Sequence, residues 1–222
     1  MKLYAYRMKA LINIIKPPGP SFSYRTKFFK QLVNDQIRAD HKILDLGSGG
    51  RLLHSDIVSV DIENKGNISL VCSASHLPFS TCIFQLIIST AVLEHVQDFS
   101  RTVSEIERCC CMGGLIYVEI PFLQTYHAHP HDYRRLTLPG LEQAFSKFEK
   151  IDSGVCVGPF SVLAWYLRKM PRFLVGENKV GFALEFLAGW MTFWIKYLDA
   201  IIPNARRAHQ AASGVYYFGK KK

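Results

Sequence analysis

A glycine-rich turn and a nearby aspartate are the first residues in this chain whose types and spacing can do chemistry. The turn GSGG at 47–50 directly follows the short apolar run 42–46, and Asp61 ends the next apolar run, 57–61. Glycines can adopt positive φ and let a ligand approach the backbone closely. A carboxylate after the second run can accept hydrogen bonds from both ribose hydroxyls of an adenosine ligand. This pair of features predicts a nucleoside-containing cofactor, the alternative being a tight turn beside a surface aspartate.

A second group of reactive side chains lies in the segment YHAHPHDYRR at 126–135. Its three histidines stand at alternate positions, and histidine is a frequent ligand of zinc and iron. Pro130 interrupts regular strand geometry here, however, and the sequence offers no accompanying cluster of ligands. We therefore expect no metal site.

The same segment is better interpreted as a loop that binds a substrate. His129 and His131 are candidate general bases, because a neutral imidazole is available near pH 7, and Asp132 could orient one of them. Tyr133 could stack on a ring or sugar, and Arg135 could hold a phosphate or carboxylate. The alternative is an anchoring network in which Asp132 and Arg135 pair for structure.

The elements that must position these residues follow an alternating α/β pattern. Nearly continuous apolar runs predict strands at 42–46, 57–61, 68–72, 84–89 and 115–120. Such runs are typical of parallel strands that are buried on both faces. Helices are predicted at 23–39 and 99–111. The result is a doubly wound, Rossmann-like sheet, in which ligands bind at the carboxyl ends of the strands.

Several motifs in this order resemble the class I S-adenosylmethionine-dependent methyltransferases of type 11. They are ILDLGSGG (43–50), VSVDIEN (58–64), SASHLPF (73–79), VLEHV (92–96) and GGLIYVEIPF (113–122). The segments HPHDYRRLT (129–137) and ASGVYYFGKKK (212–222) are similar to a bacterial branch associated with polysaccharide or lipid-linked glycan pathways. The resemblance implies S-adenosylmethionine as cofactor and a seven-stranded, mostly parallel sheet. Its last strand, placed at 214–219, is expected to be antiparallel.

The resemblance also implies roles for the residues near the glycine turn. Gly47 and Gly49 would approach the methionine part of the cofactor. Asp45 would orient the turn or meet the cofactor's amino group through water, and Asp61 would bind the ribose.

Further cofactor and substrate contacts are implied farther along the chain. Ser73 stands where the family has an acid that recognises the adenine, and it is expected to bind the adenine amino group. The backbone of Ala74 and the packing of Leu77 would complete this end of the site. Glu94 would close the cofactor pocket, and His95 beside it would face the substrate.

This sequence departs from the family pattern in ways that leave an inactive binding protein as an alternative. Arg51 occupies the third glycine position, and Gln85 stands where the family favours aspartate. The stretch 49–61 is short, so the helix after the first strand is expected to be shrunken or missing.

Composition and charge limit the remaining possibilities. The chain has 222 residues, a formal net charge of +9, 49% hydrophobic and 13% aromatic residues, which excludes a disordered chain. Its six cysteines include three in a row and favour a reducing compartment over a disulfide framework. The positive charge suits an anionic membrane surface. An RNA or protein methyltransferase is the second candidate, although no RNA-binding module is visible, and nucleic acid is not expected as a partner.

The two ends of the chain motivate a location at the membrane. Residues 1–20 predict a basic amphipathic helix and a proline-rich linker, and 21–222 a methyltransferase domain with a hydrophobic helical insertion at 160–205. Within it, 180–202 predicts one helix with Glu185, Lys196 and Asp199 on a narrow polar stripe. This helix could lie in a membrane interface, pack on the domain or form a dimer surface. We expect a cytoplasmic enzyme, peripheral on the inner membrane face, acting on a small-molecule or glycan acceptor; the oligomeric state stays open.

Overall fold

The computed structural model describes residues 16–201 and 208–222, so most of the predicted amphipathic helix lies outside the described residues. The helices are α1 (Thr26–Arg38), α2 (Phe99–Cys109), α3 (Leu138–Ala144), α4 (Pro159–Val175) and α5 (Lys179–Thr192), with 3-10 helices at Phe193–Ile201 and Ala208–Gln210. The strands are β1 (Ile43–Leu46), β2 (Val58–Asp61), β3 (Leu70–Val71), β4 (Phe84–Thr90), β5 (Cys110–Pro121), β6 (Phe148–Val157) and β7 (Gly214–Lys221).

The strands form one seven-stranded sheet in the order β3-β2-β1-β4-β5-β7-β6. Neighbours from β3 to β5 are parallel, and β7 runs antiparallel to β5 and β6. One sheet face packs with α2 and α3, and the other packs against α1. The mostly parallel α/β sheet and the antiparallel last strand predicted from the sequence are confirmed.

Three segments show where local sequence signals and the structure agree or differ. Residues 47–57 form turns and bends, which confirms the expected loss of a helix after β1. The helix predicted at 99–111 is too long by two residues, since Cys110 has extended backbone angles and pairs with Phe84 of β4. The sequence analysis missed β6, because its polar and charged residues at one edge of the sheet give no continuous apolar run.

The polar residues predicted as a stripe at 180–202 face the protein. Glu185 accepts a hydrogen bond from Lys169 (2.6 Å) and pairs with Arg172 (3.3 Å) on α4. Lys196 is buried and donates to the Gly19 carbonyl (2.7 Å). The segment is two elements, because α5 ends at Thr192 and a 3-10 helix follows. Among the described helices, none is both long and apolar enough to cross a membrane.

Asp199 joins this helical region to the sheet by capping α4. Its fully buried carboxylate accepts hydrogen bonds from the backbone N–H groups of Phe160 (2.8 Å) and Ser161 (2.9 Å) and from the Ser161 hydroxyl (2.6 Å). The backbone carbonyl of Asp199 accepts from the Tyr24 hydroxyl (2.8 Å). Since the first N–H groups of a helix have no partner within the helix, a carboxylate there satisfies them and complements the helix dipole.

We predict that Asp199→Ala lowers the free energy of unfolding by about 2 kcal/mol, because two backbone N–H groups lose their acceptor in a buried setting. Urea denaturation followed by circular dichroism measures this loss. Glu177→Ala is the matched control, since that carboxylate is 80% exposed, and its effect should stay below about 0.5 kcal/mol. Equal losses in the two variants would contradict the capping role.

Candidate functional site

A cleft of about 830 Å³ opens at the carboxyl ends of the parallel strands. The segments after β1, β2 and β3 contribute Gly47, Gly49, Asp61, Ser73 and Ala74, and the segments after β4 and β5 contribute His95, His127, His129 and Tyr133. The fold therefore brings residues predicted to bind cofactor and residues predicted to bind substrate into one cavity. Its volume lies in the range typical of small-molecule sites.

The glycine turn at the floor of the cleft depends on backbone geometry that other residues cannot adopt. Gly47 has φ of +69°, and a Cβ at this position would lie 2.3 Å from Val92 Cγ2. The Gly49 N–H donates to Asp61 Oδ2 (2.8 Å), and the Glu63 N–H donates to Oδ1 of the same carboxylate (3.1 Å). Asp61 therefore fixes the turn and still lines the cleft, where its remaining lone pairs can accept hydrogen bonds from a ligand.

Asp45 is fully buried and forms an ion pair beneath this turn instead of lining the cleft. Arg51 donates to both carboxylate oxygens, from Nη2 to Oδ1 (2.5 Å) and from Nε to Oδ2 (3.0 Å). Its Nη1 donates to the Thr90 hydroxyl at the end of β4 (2.7 Å). Arg51 thus ties the turn to the two central strands. In the sequence Arg51 is only a departure from glycine; its position six residues after an acid within an apolar run is the signal that could have indicated the pair.

The predicted adenine contacts are divided between the cleft and the core. Ser73 and Ala74 line the cleft, and the Ser73 hydroxyl is 2.9 Å from that of Ser75. Leu77 is instead buried in the hydrophobic core, and its backbone N–H donates to Glu105 (2.9 Å). Leu77 therefore supports the cleft from behind.

Glu94 and two histidines form a compact polar cluster beside the cleft. Oε1 of the fully buried Glu94 lies 3.7 Å from His95 Nε2 and 3.8 Å from His127 Nε2. Within the described residues, neither Glu94 oxygen makes a hydrogen bond. Burial raises the pKa of Glu94 to about 7, and burial also lowers the pKa of His127. Sequence reasoning placed Glu94 and His95 here but missed His127, which comes from a different loop.

The residues predicted as general bases have separate surroundings. His129 is exposed, lines the cleft and has its Nε2 3.3 Å from Lys65 Nζ. The exposed His131 ring packs near the Tyr133 ring, with centroids 5.5 Å apart, and it does not belong to the cleft wall. Of the candidates His129 and His131, only His129 therefore reaches the cavity.

Asp132 holds Arg135 and the backbone of His127 and does not contact His129 or His131 in the described part of the chain. Arg135 donates to both Asp132 oxygens, and the His127 N–H donates to Oδ2 (3.0 Å). Burial acts to raise the pKa of Asp132, but these hydrogen bonds outweigh it and lower the pKa. The geometry matches the alternative in which Asp132 and Arg135 anchor the loop.

We predict that Arg51→Met lowers the free energy of unfolding by about 2–3 kcal/mol, because it leaves the Asp45 carboxylate buried and unpaired. Urea denaturation checks this value, and Arg38→Met, at an 81% exposed side chain, is the control with an expected change below about 0.5 kcal/mol. The double variant Asp45→Asn/Arg51→Met should regain part of the loss, since the unpaired charge is gone. A loss in Arg51→Met no larger than in Arg38→Met would show that the pair is unimportant.

Comparisons with known proteins agree with this geometry. The family model described as "Methyltransferase domain" matches residues 44–118. The solved structure of the [4+2]-cyclase SpnF is similar at 15% identity and a TM-score of 0.53, covering 87% of this chain and 79% of that one. The MccD protein is similar at 14% identity and a TM-score of 0.52, with coverages of 86% and 96%.

A further similar structure contains S-adenosylhomocysteine. It is the 1,6-didemethyltoxoflavin-N1-methyltransferase of Burkholderia thailandensis, at 12% identity and a TM-score of 0.52, covering 87% of this chain and 76% of that one. A search of curated proteins found no significant match. At these identities the structures show the fold alone. The domain match supports a methyltransferase domain over residues 44–118 that uses S-adenosylmethionine, and the solved structures show its fold.

Proposed function

We propose that this protein transfers a methyl group from S-adenosylmethionine to a small-molecule or glycan acceptor, such as a lipid-linked polysaccharide, at a membrane surface. The observation that carries the proposal is the single cleft that the glycine turn and Asp61 share with His95, His129 and Tyr133. A cofactor and an acceptor in one cavity can be held in line for direct transfer. Orientation of this kind supplies much of the catalysis in such reactions.

The cofactor end of the cleft fits the bound group that the domain match supports. Gly49 leaves open space where a side chain would stand, and Gly47 has no room for a Cβ beside Val92. In the proposed complex Asp61 binds the ribose hydroxyls, and Ser73 and Ala74 contact the adenine. The cofactor supplies a methyl group on a sulfonium ion, which departs as a neutral thioether, so these residues need not stabilise a developing anion.

The acceptor end offers a base and a ring surface. His129 is the proposed general base, since it lines the cleft and can take a proton from an acceptor hydroxyl or amine. The Tyr133 ring, 45% exposed at the same wall, is proposed to stack on a sugar or another ring. Asp132 and Arg135 act as positioning residues in this proposal, because their mutual pairing fixes the loop.

The membrane part of the proposal rests on the outward face of α4, α5 and the following 3-10 helix. Among the described residues, 17 of the 25 exposed large hydrophobic side chains lie between Leu163 and Ile201. They include Phe182, Trp190 and Trp194, and aromatic side chains are favoured at membrane interfaces. Glu185, Lys196 and Asp199 point inward, whereas Glu177 and Lys179 are exposed near the start of α5. The remaining outward face is largely apolar on a protein of net charge +9. An anionic lipid surface complements both properties.

We predict that S-adenosylhomocysteine binds the detergent-purified protein and that Asp61→Ala weakens binding by about 1.5–3 kcal/mol, because a charged acceptor of hydrogen bonds is lost. Isothermal calorimetry measures both affinities. Asp56→Ala, at a 76% exposed side chain in the same region, should bind like the wild type. A folded wild type that fails to bind would instead support the alternative of an inactive binding protein.

The class of acceptor is tested by incubating the protein with methyl-labelled cofactor and a bacterial lysate, and then extracting the products. Label in the lipid-extractable glycan fraction is the expected result. Label in RNA or in protein would favour the second candidate function, that of an RNA or protein methyltransferase.

We predict that the protein co-sediments with vesicles containing anionic lipid and that three substitutions to serine on the apolar face weaken this binding at least about tenfold, because they remove buried apolar area. The three positions are Leu187, Met191 and Trp194, each more than half exposed. The matched control substitutes three similarly exposed residues elsewhere, Leu52, Met112 and Ile151. Equal vesicle binding by the two triple variants would contradict this docking face, and dimerisation through the same face would favour a protein interface instead.

A further inference from the structure

The cluster of Glu94, His95 and His127 has a feature that a cofactor cleft does not explain. The Glu94 side chain is fully buried, and within the described ranges neither of its carboxylate oxygens has a hydrogen-bond partner. Buried polar groups are normally paired, because leaving one unpaired in a protein interior is costly. The nearest polar atoms to Glu94 Oε1 in the cluster are the Nε2 atoms of the two histidines, at 3.7 and 3.8 Å.

Hydrogen bonding around His95 leaves its Nε2 atom available toward Glu94. Its Nδ1 lies 2.6 Å from the backbone carbonyl of His131. A carbonyl oxygen only accepts, so Nδ1 must be the donor, and in the neutral ring Nε2 then carries the free lone pair. This arrangement of a histidine held by a backbone carbonyl through its other nitrogen is common among metal ligands.

The other ring nitrogen of His127 faces a carboxylate, at a distance longer than a hydrogen bond. Its Nδ1 lies 3.6 Å from Asp132 Oδ2, and its Nε2 lies on the Glu94 side. Asp132 is fixed in turn by Arg135. The two imidazole rings are nearly perpendicular, with an interplanar angle of 88° and centroids 5.0 Å apart. Both rings therefore direct one nitrogen to the same small volume beside Glu94.

We propose that Glu94, His95 and His127 bind a divalent transition-metal ion of the zinc type. One ligand atom from each residue lies within 4.8 Å of the others. Bonds of about 2.0–2.2 Å to a shared ion place ligand atoms roughly 3.4 Å apart in a tetrahedral site, and the two Glu–His distances are close to this value. Two imidazoles and one carboxylate suit zinc or iron better than magnesium, which prefers oxygen ligands.

The sequence predicts no metal site, because Pro130 interrupts the run that holds His127, His129 and His131 and no ligand cluster accompanies it. In the structure only His127 of these three turns toward Glu94, and the ligand set is completed by the segment after β4. Pro130 therefore does not disturb the set. His95 and His127 both line the cleft, so the ion would keep open coordination positions facing the acceptor.

The location of the proposed ion gives it a chemical role that rests on the proposed methyl transfer. A hydroxyl coordinated to such an ion loses its proton more easily, because the positive charge stabilises the oxyanion. The acceptor class is then a hydroxyl-bearing molecule that coordinates the ion through oxygen. The proton goes to His129 or to solvent, and the oxygen forms the new bond to the methyl carbon as the carbon–sulfur bond breaks.

Metal binding is tested on the full-length protein after treatment with a chelator, with Co²⁺ as a spectroscopic probe and Zn²⁺ as competitor. We expect one equivalent of Co²⁺ to give visible d–d absorption, and Zn²⁺ but not a tenfold excess of Mg²⁺ to displace it. Glu94→Gln and His127→Ala should each weaken Co²⁺ binding at least about tenfold. His131→Ala is the matched control on the same loop and should bind like the wild type, because His95 contacts only the backbone of His131.

Two results would overturn the metal proposal. One is a wild type that binds S-adenosylhomocysteine but takes up no Co²⁺ or Zn²⁺. The other is a His131→Ala variant that loses metal as strongly as His127→Ala. Measuring S-adenosylhomocysteine binding on the same samples shows that each variant is folded. Metal uptake without S-adenosylhomocysteine binding would overturn the proposed methyl transfer and leave the metal site standing.

Discussion

The ion pair between Asp45 and Arg51 is the interaction on which the cleft depends. No helix lies between β1 and β2, so side-chain contacts must hold the segment that carries the glycine turn. Arg51 holds it by bonding to the fully buried Asp45 at the end of β1 and to Thr90 at the end of β4. The same segment is held from above by Asp61 of β2. A short turn can thus replace a helix because three adjacent strands end at one edge of the sheet and each supplies a polar partner.

In the helices between β6 and β7, several charged side chains face the protein and many apolar side chains face outward, which is the reverse of an ordinary surface helix. Glu185, Lys196 and Asp199 bind partners inside the protein, while many aromatic and aliphatic side chains face outward. Asp199 and Lys196 are held by the start of α4 and by Gly19, respectively, so the inward polar contacts orient the region. An outward apolar face follows from this orientation, and that face is the basis of the proposed membrane contact.

The loops after β4 and β5 divide the reactive side chains into two layers. Asp132, Arg135 and Glu94 are largely or fully buried and set the positions of the loops. His95, His127, His129 and Tyr133 line the cleft in front of them. This layering explains why a loop rich in charged residues keeps one geometry, since the Asp132 carboxylate joins Arg135 to the backbone of His127. It also leaves Glu94 as a buried carboxyl group whose oxygens have no hydrogen-bond partner among the described residues.

The sequence by itself determined the parallel part of the sheet and the position of the glycine turn beside Asp61. Apolar runs locate the five strands β1 to β5, although β5 begins five residues before its run, and the glycine turn and Asp61 mark the ends of β1 and β2 because these signals are local. The tertiary structure alone decided the pairings between distant segments. Asp199 caps residues 38 or 39 positions earlier, and His127 meets Glu94 from another loop. Local periodicity determines which face of a helix or strand is buried. The path of the loops determines which polar groups from distant parts of the chain come into contact. For this reason Arg51 looked like a departure from the family pattern, and only the fold gave it a partner.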